Sequence, residues 1–524
     1  MGETRTDVEA GTTLGDVIPA PAVVEHAEGI TFTLTETAAI LTSAAAAEVV
    51  AVAEYLAALL RPATGYPLPV LAGAPTGTVG AISLVISGPD EASGEAPGEA
   101  SREIPRDLGD EGYVLDVTSD TVVLRAHTPI GLFRGTQTLR QLLPARLGRK
   151  TVQSGSWTIP GGRIVDQPRF AYRGVMLDVA RHFFTVADIK RVIELAALHK
   201  LNRLHLHLTD DQGWRLAIDS WPRLTTFGGG TEVGTGPGGY YSKDDYREIV
   251  DYAQSHFITV VPEVDLPGHT NAALASYAEL NCDGQAPQRY TGIDVGFSSL
   301  CVDKELTYRF LDDVFGEIAA LTPGEYLHIG GDEANTLSAD DYATIVSRAQ
   351  EIVSAHGKAP IGWHEVAGAK LLPATVLQFW GVTTDAPEVI AAALQGNRIV
   401  MSPANHTYLD MKYASGSPLG LSWAGLVTVE DSYAWDPVTY LPGLDPSAIL
   451  GVESPLWTET VRTVKDIEFL AFPRLAATAE QGWSPASKHD WADFRGRLAA
   501  QGLRWEALDV SFYRSPEIDW ASRG

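Results

Sequence analysis

The alternation of apolar and polar positions changes character near residue 165. Before that point, residues 30–35 alternate with the period of a half-buried strand, and residues 81–87 form a second strand candidate. Residues 112–117 and 121–126 flank Thr118-Ser119-Asp120, a hairpin arrangement. Ser43 is placed to cap a helix that runs to Arg61 with Pro62 as its stop, and residues 129–143 read as another helix. Residues 1–25 read as an extended or disordered lead-in, and residues 88–101, GPDEASGEAPGEAS, as a solvated loop. These elements predict a small α+β domain over residues 1–165 with an antiparallel sheet and no clustered catalytic groups.

From residue 166 to 524, short apolar runs alternate with helical patterns. The runs are 174–178, 203–208, 258–263, 326–330, 360–363, 376–380, 398–402 and 448–452. Runs that are apolar throughout mark strands buried on both faces, as in parallel sheets. Eight of them with helical crossovers predict an α/β fold, a (β/α)8 TIM barrel, closed by a C-terminal helix at 490–508. Residues 227–239 and 420–436 read as long loops. The first is Gly-rich but is followed by no Gly-Lys-Ser/Thr, so it is not a phosphate loop.

In such a barrel the chemistry sits at the C-terminal strand ends. The stretch Tyr326-Leu-His-Ile-Gly-Gly-Asp-Glu-Ala334 is a strand whose tip opens through Gly330 and Gly331 into Asp332 and Glu333. Two neighbouring carboxyls do not ionise independently, so one is expected to be pushed up, as a general acid requires. An acidic pair can also be a helix cap and first-turn acid. Here it follows a strand and two glycines. The other strand ends carry Arg181, His205, His207, Asp210, Asp265, His269, Trp363, Trp380, Tyr408, Asp410, Trp457 and Glu459. Taken singly, Arg181 reads as a salt-bridge partner and the tryptophans as core. Their register with eight strands argues for one site.

Composition adds limits. A net charge of −27 argues against nucleic acid as a partner, and 45% hydrophobic content is that of a globular protein. The alanine-rich stretch 44–60 is too short and too charged to span a membrane. The N-terminus lacks a secretory pattern, which points by default to the cytoplasm. A disulfide between Cys282 and Cys301 would point instead to an oxidising compartment. Neither cysteine lies in a Cys-x-x-Cys pair, and no cofactor or metal is expected. His205 and His207 form a His-x-His, read as core or supporting histidines rather than metal ligands.

The motifs HIGGDE (328–333), LDVARHF (177–183), LHLTDDQGW (206–214), PEVDLPGHT (262–270), GWHE (362–365) and WTE (457–459) resemble family 20 glycoside hydrolases, the β-N-acetylhexosaminidases. The domain over 1–165 is similar to the one that precedes this barrel in the family. The resemblance implies a retaining exo-hydrolase of terminal β-linked GlcNAc or GalNAc, in chitin fragments or glycan chains, working by substrate-assisted catalysis. Its implied assignments are as follows in this chain. Glu333 is the acid and base, Asp332 and Tyr408 hold the 2-acetamido group, and Trp363, Trp380 and Trp457 wall it. Arg181, Asp410 and Glu459 bind sugar hydroxyls, and Trp423 lies toward the aglycone. Asp210, Asp265 and His269 orient Glu333. Two other readings are a non-catalytic amino-sugar-binding barrel and a metal-dependent hydrolase.

Overall fold

A computed structural model describes residues 13–75, 77–87 and 104–520. The solvated loop expected at 88–101 and residues 1–12 of the expected lead-in lie outside them. The chain divides into two compact units, Met1–Arg169 with Ala479–Gly524, and Phe170–Thr478. The expected boundary at 165/166 thus falls at 169/170, and the C-terminal helix groups with the first unit instead of the barrel.

The first unit holds seven strands: β1 (Val23–Leu34), β2 (Ile40–Thr42), β3 (Val70–Ala72), β4 (Ile82–Ile86), β5 (Tyr113–Val117), β6 (Val122–Ala126) and β7 (Trp157–Asp166). They form one sheet in the order β1-β7-β5-β6-β4-β2-β3. The sheet is mixed, which corrects the antiparallel expectation. β1, β7, β5 and β6 pair antiparallel, while β6, β4, β2 and β3 pair parallel. The cause is the helix Ala47–Thr64 between β2 and β3, because a helical crossover returns the chain in the same direction. That helix starts after Ala46 and takes no cap from Ser43, whose hydroxyl accepts instead from the Ile86 amide. It also runs past Pro62 and stops at Gly65, φ 70°. Within the lead-in, Leu14, Val17 and Ile18 are fully buried. Apolar side chains there do structural work, so the lead-in from residue 13 is neither solvated nor disordered.

Trp491–Ala507 is the last helix, capped by Asp490 on the Asp493 amide. Inside its unit Arg497 bonds Glu480, which also accepts from the Ala20 amide, and the Trp483 indole donates to Asp166.

The second unit is the barrel. Its strands are β8 (Tyr172–Asp178), β9 (Arg203–His207), β12 (Thr259–Leu266), β13 (Tyr326–Gly330), β14 (Ala359–Trp363), β15 (Val376–Phe379), β16 (Arg398–Met401) and β17 (Ile449–Leu456), closing where β17 pairs β8 in parallel. A small hairpin, β10 (Thr209–Asp210) with β11 (Gly213–Trp214), follows β9. All eight strands coincide with the apolar runs of the sequence. Capping boxes at Thr185/Asp188 and Ser242/Asp245 start two of the crossover helices, Val186–Leu198 and Lys243–Ser255.

Side chains alternate along a strand, so every second residue faces the barrel axis. Tyr172, Val261, Ile361, Val376, Val400 and Leu450 pack together as an apolar cluster. Two residues further along their strands stand Glu263, Trp363 and Gln378, and beyond these the rim. The interior therefore changes from apolar to charged to aromatic toward the C-terminal face.

Candidate active site

β13 ends in a turn that only glycine permits. Gly330 and Gly331 have φ of 67° and 107°, and a Cβ on Gly330 would stand 1.6 Å from Asp265 Oδ1. That close approach lets Asp265 accept from the Gly331 amide at 3.2 Å. Glu333 follows with φ 49°. The turn splits the acidic pair: the Asp332 side chain is 11% exposed and that of Glu333 33%. Both approach one nitrogen, His269 Nε2, at 3.6 and 3.4 Å. The His269 Nδ1 lies 3.2 Å from Asp210, and Asp210 pairs with Arg181 at 2.9 Å and with His207 at 2.8 Å. Asp210, Asp265 and His269 are thus gathered around the acidic pair.

One wall is aromatic. Trp363, Tyr408 and Trp457 are buried in a single cluster with Trp380 packed against it. Trp363 and Trp457 lie 5.7 Å apart between centroids, and the Trp380 indole donates to Glu365 at 3.0 Å. Trp423 stands edge-on to Trp380 and Tyr408 and is 53% exposed, so it marks the open side. The Arg181 guanidinium covers the Trp457 ring at 4.8 Å.

Several buried polar atoms of this group have no hydrogen-bond partner among the described residues: Asp332 Oδ1, Arg181 Nε, Asp410 Oδ2 and Glu459 Oε2. Leaving such atoms unpaired is costly, and a polyhydroxylated ligand would relieve that cost. Cys282 and Cys301 are disulfide-bonded with Cα atoms 4.9 Å apart, bracketing a loop that passes Glu333, since a Cβ on Gly296 would lie 3.1 Å from the Glu333 carbonyl.

The charges are set by burial and by these neighbours. Burial, helped by Glu333 and Glu263 and opposed by His269, pushes the Asp332 carboxyl up to about 6. Burial and the Asp332 charge push Glu365 to about 8. Burial works against a charge on His269, but Asp210, Asp265 and Asp332 outweigh it and raise the ring well above its usual range. Burial, then Asp410 and Asp332, hold the Tyr408 hydroxyl well above its ordinary value, so it keeps its proton. Asp410 is raised by burial and then by Glu459.

Three-ligand groupings occur at His205–Glu263–His328 and His269–Asp332–Glu333. Each nitrogen of His205 faces a carboxylate, Glu263 at 3.0 Å and Glu453 at 2.9 Å. Those of His207 face Glu263 at 2.6 Å and Asp210 at 2.8 Å. Rings that donate from both nitrogens have no lone pair for a metal. Glu263, Glu365 and Asp178 stand among the polar strand-end residues of the sequence, but no role is assigned to them there. Glu263 lies inside the quoted PEVDLPGHT motif and Glu365 inside GWHE; a charged residue in an apolar strand is the signal that marks Glu263. Asp178 ties the barrel seam by accepting from the Arg181 and Thr458 amides, both at 3.0 Å.

The model of the glycosyl hydrolase family 20 catalytic domain matches residues 170–345 and 338–486, and that of domain 2 of the same family matches 15–167. A beta-N-acetylhexosaminidase of Cellulomonas fimi is 42% identical over 97% of this chain and 98% of its own length. The structure of the GH20 beta-N-acetylhexosaminidase from Streptomyces coelicolor A3(2) aligns with a TM-score of 0.91 and 53% identity, covering 97% of this chain and 99% of that one. A mutant Streptomyces plicatus beta-hexosaminidase, solved in complex with product (GlcNAc), aligns with a TM-score of 0.91 and 52% identity, covering 97% and 98%.

Proposed function

This chain belongs to glycosyl hydrolase family 20 and is a β-N-acetylhexosaminidase, and we propose that the 2-acetamido group of its own substrate is the nucleophile. The substrate is an oligosaccharide or glycoconjugate ending in β-linked GlcNAc or GalNAc, such as a chitin fragment or a glycan chain. Family 20 is a substrate-assisted exception to the two-carboxylate scheme of glycoside hydrolysis.

In the first step the acetamido oxygen attacks the anomeric carbon while Glu333 protonates the glycosidic oxygen, and the aglycone leaves as an alcohol. The product is an oxazolinium ion. Asp332 accepts from its N–H and balances the growing positive charge. In the second step Glu333, now a carboxylate, takes a proton from water; the oxygen attacks the same carbon and the ring opens with retained configuration. The greater exposure of Glu333 suits this role, because it must meet both the aglycone and water. Tyr408, held protonated, donates to the acetamido oxygen and aims it. Trp363, Trp380 and Trp457 enclose the methyl group and exclude water. Arg181, Asp410 and Glu459 offer their unpaired atoms to ring hydroxyls, and Trp423 stacks on the aglycone side.

The observation that carries this reading is the split of the acidic pair, one carboxyl sunk beside the indole wall and the other turned to solvent. The Cys282–Cys301 bond supports an oxidising compartment over the cytoplasm. The test is Asp332→Asn on p-nitrophenyl β-N-acetylglucosaminide. The expected result is a fall in kcat of about 10²–10³ or more with a much smaller change in KM. An unchanged kcat would sink the assisted mechanism.

A further inference from the structure

Beneath the pocket one carboxylate gathers four rings. Glu263 sits on β12 in register with His207 on β9 and His328 on β13 and is fully buried. Its Oε1 accepts from the Trp363 indole at 2.9 Å and lies 3.0 Å from His328 Nδ1. Its Oε2 accepts from His207 Nδ1 at 2.6 Å and from His205 Nε2 at 3.0 Å. A buried charge of this kind is weak evidence for stability, since an apolar core would fold as well. What sets Glu263 apart is where its bonds lead. Trp363 is the floor of the pocket wall. His207 passes to Asp210 and from there to Arg181 and His269, which faces the acidic pair. A second buried acid, Glu453, has similar surroundings: His205, Gln378 at 2.7 Å and Tyr172 at 2.6 Å. None of those three side chains is part of the pocket.

We propose that Glu263 is a positioning residue that sets the fit of the acyl pocket: by fixing the Trp363 indole from below, it determines how large an amide the enzyme can fold back onto the sugar ring. The proposal rests on the substrate-assisted reading, because only a nucleophilic amide makes the shape of this wall matter to the rate. The physical reason is donor counting. Glu263 accepts from the Trp363 indole and from the His205 and His207 rings, while His328 Nδ1 accepts from the Gly330 amide at 3.0 Å; a glutamine keeps only one oxygen and turns an N–H2 toward at least one of the three donors. The indole's single N–H goes to Glu263, so losing that acceptor leaves its seat to ring packing against His205, His328 and Trp457 alone.

The experiment compares Glu263→Gln with Glu453→Gln, using p-nitrophenyl glycosides that carry a 2-acetamido or a 2-propanamido group. Folding is checked by near-UV circular dichroism. In Glu263→Gln the preference for acetamido over propanamido, as a ratio of kcat/KM, is expected to relax about tenfold, and kcat on the acetamido substrate to fall about 10²-fold. In Glu453→Gln the preference should stay within about twofold of the wild type, since a methylene in a rigid wall keeps its usual effect. Equal ratios in the two variants would overturn the proposal, as would a Glu263→Gln that loses activity at unchanged preference. If Glu263→Gln does not fold, Glu263→Asp keeps the charge but withdraws the carboxylate from the indole and leaves the wall residue itself intact; an unchanged preference there overturns the proposal, and a relaxed one supports it. If the wild type cleaves a glycoside lacking the amide as fast as the acetamido substrate, the assisted reading itself has failed, which separates the two outcomes.

Discussion

Glu333 and His269 both adopt left-handed backbone conformations, φ 49° and 55°, which cost energy in residues other than glycine and collect at functional sites. Their neighbours set the charges. Asp332 has its carboxyl raised to about 6, first by burial and then by Glu333 and Glu263. The proposed mechanism needs Asp332 as an anion, so protonating it removes activity. The sign follows: kcat/KM should rise with pH through about 6 as Asp332 ionises, and Asp332→Asn should lose that acid limb. A pH–rate profile of the two proteins checks this, since kcat/KM reports groups of the free enzyme. Tyr408→Phe should lower kcat about 10²–10³-fold, the usual effect of deleting one donor to a developing charge. The acidic pair and its glycines were legible in the sequence because their motif is contiguous. Glu263 stood out as a charged residue at a strand end, but its role did not, because its ring neighbours come from three other strands and only the barrel register brings them together.

The eight barrel strands were read from sequence because parallel strands covered on both faces are apolar throughout. Their ends were less clear: β12 and β17 run to Leu266 and Leu456, past polar residues that are buried rather than solvated. The first sheet was read as antiparallel because its hairpin, β5–β6, is local, whereas the parallel pairs depend on crossovers. At Pro62 the sequence rule for helix ends failed: the helix runs two residues past the proline and is stopped by Gly65 in the left-handed conformation. Two expectations belong to this scale. Gly330→Ala places a Cβ 1.6 Å from Asp265 Oδ1 and should cripple activity and lower Tm, as thermal unfolding with parallel assays would show. Replacing Cys282 and Cys301 by serine opens a loop spanning 19 positions and should cost about 3 kcal/mol in urea unfolding, as chain entropy predicts for such a loop.

Across the whole molecule, the C-terminal segment returns to the first unit, and sequence pattern could not show this because a helix reads the same wherever it docks. Its ties are long-range: Trp483 to Asp166, Glu480 to the Ala20 amide, and Arg497 to the Val17 carbonyl. Removing residues 479–524 should therefore expose the first unit to limited proteolysis. The net charge of −27 suits an uncharged sugar better than a polyanion. The central claim is that the amide of the sugar does the work usually assigned to an enzyme carboxylate. The most direct measurement is kcat/KM for p-nitrophenyl β-N-acetylglucosaminide against p-nitrophenyl β-glucoside, which differ only at the 2-position. A ratio above about 10³ is predicted, because a positioned intramolecular nucleophile is worth several orders of magnitude. Rates within about tenfold of each other would contradict it, since that is what one lost contact in the pocket accounts for.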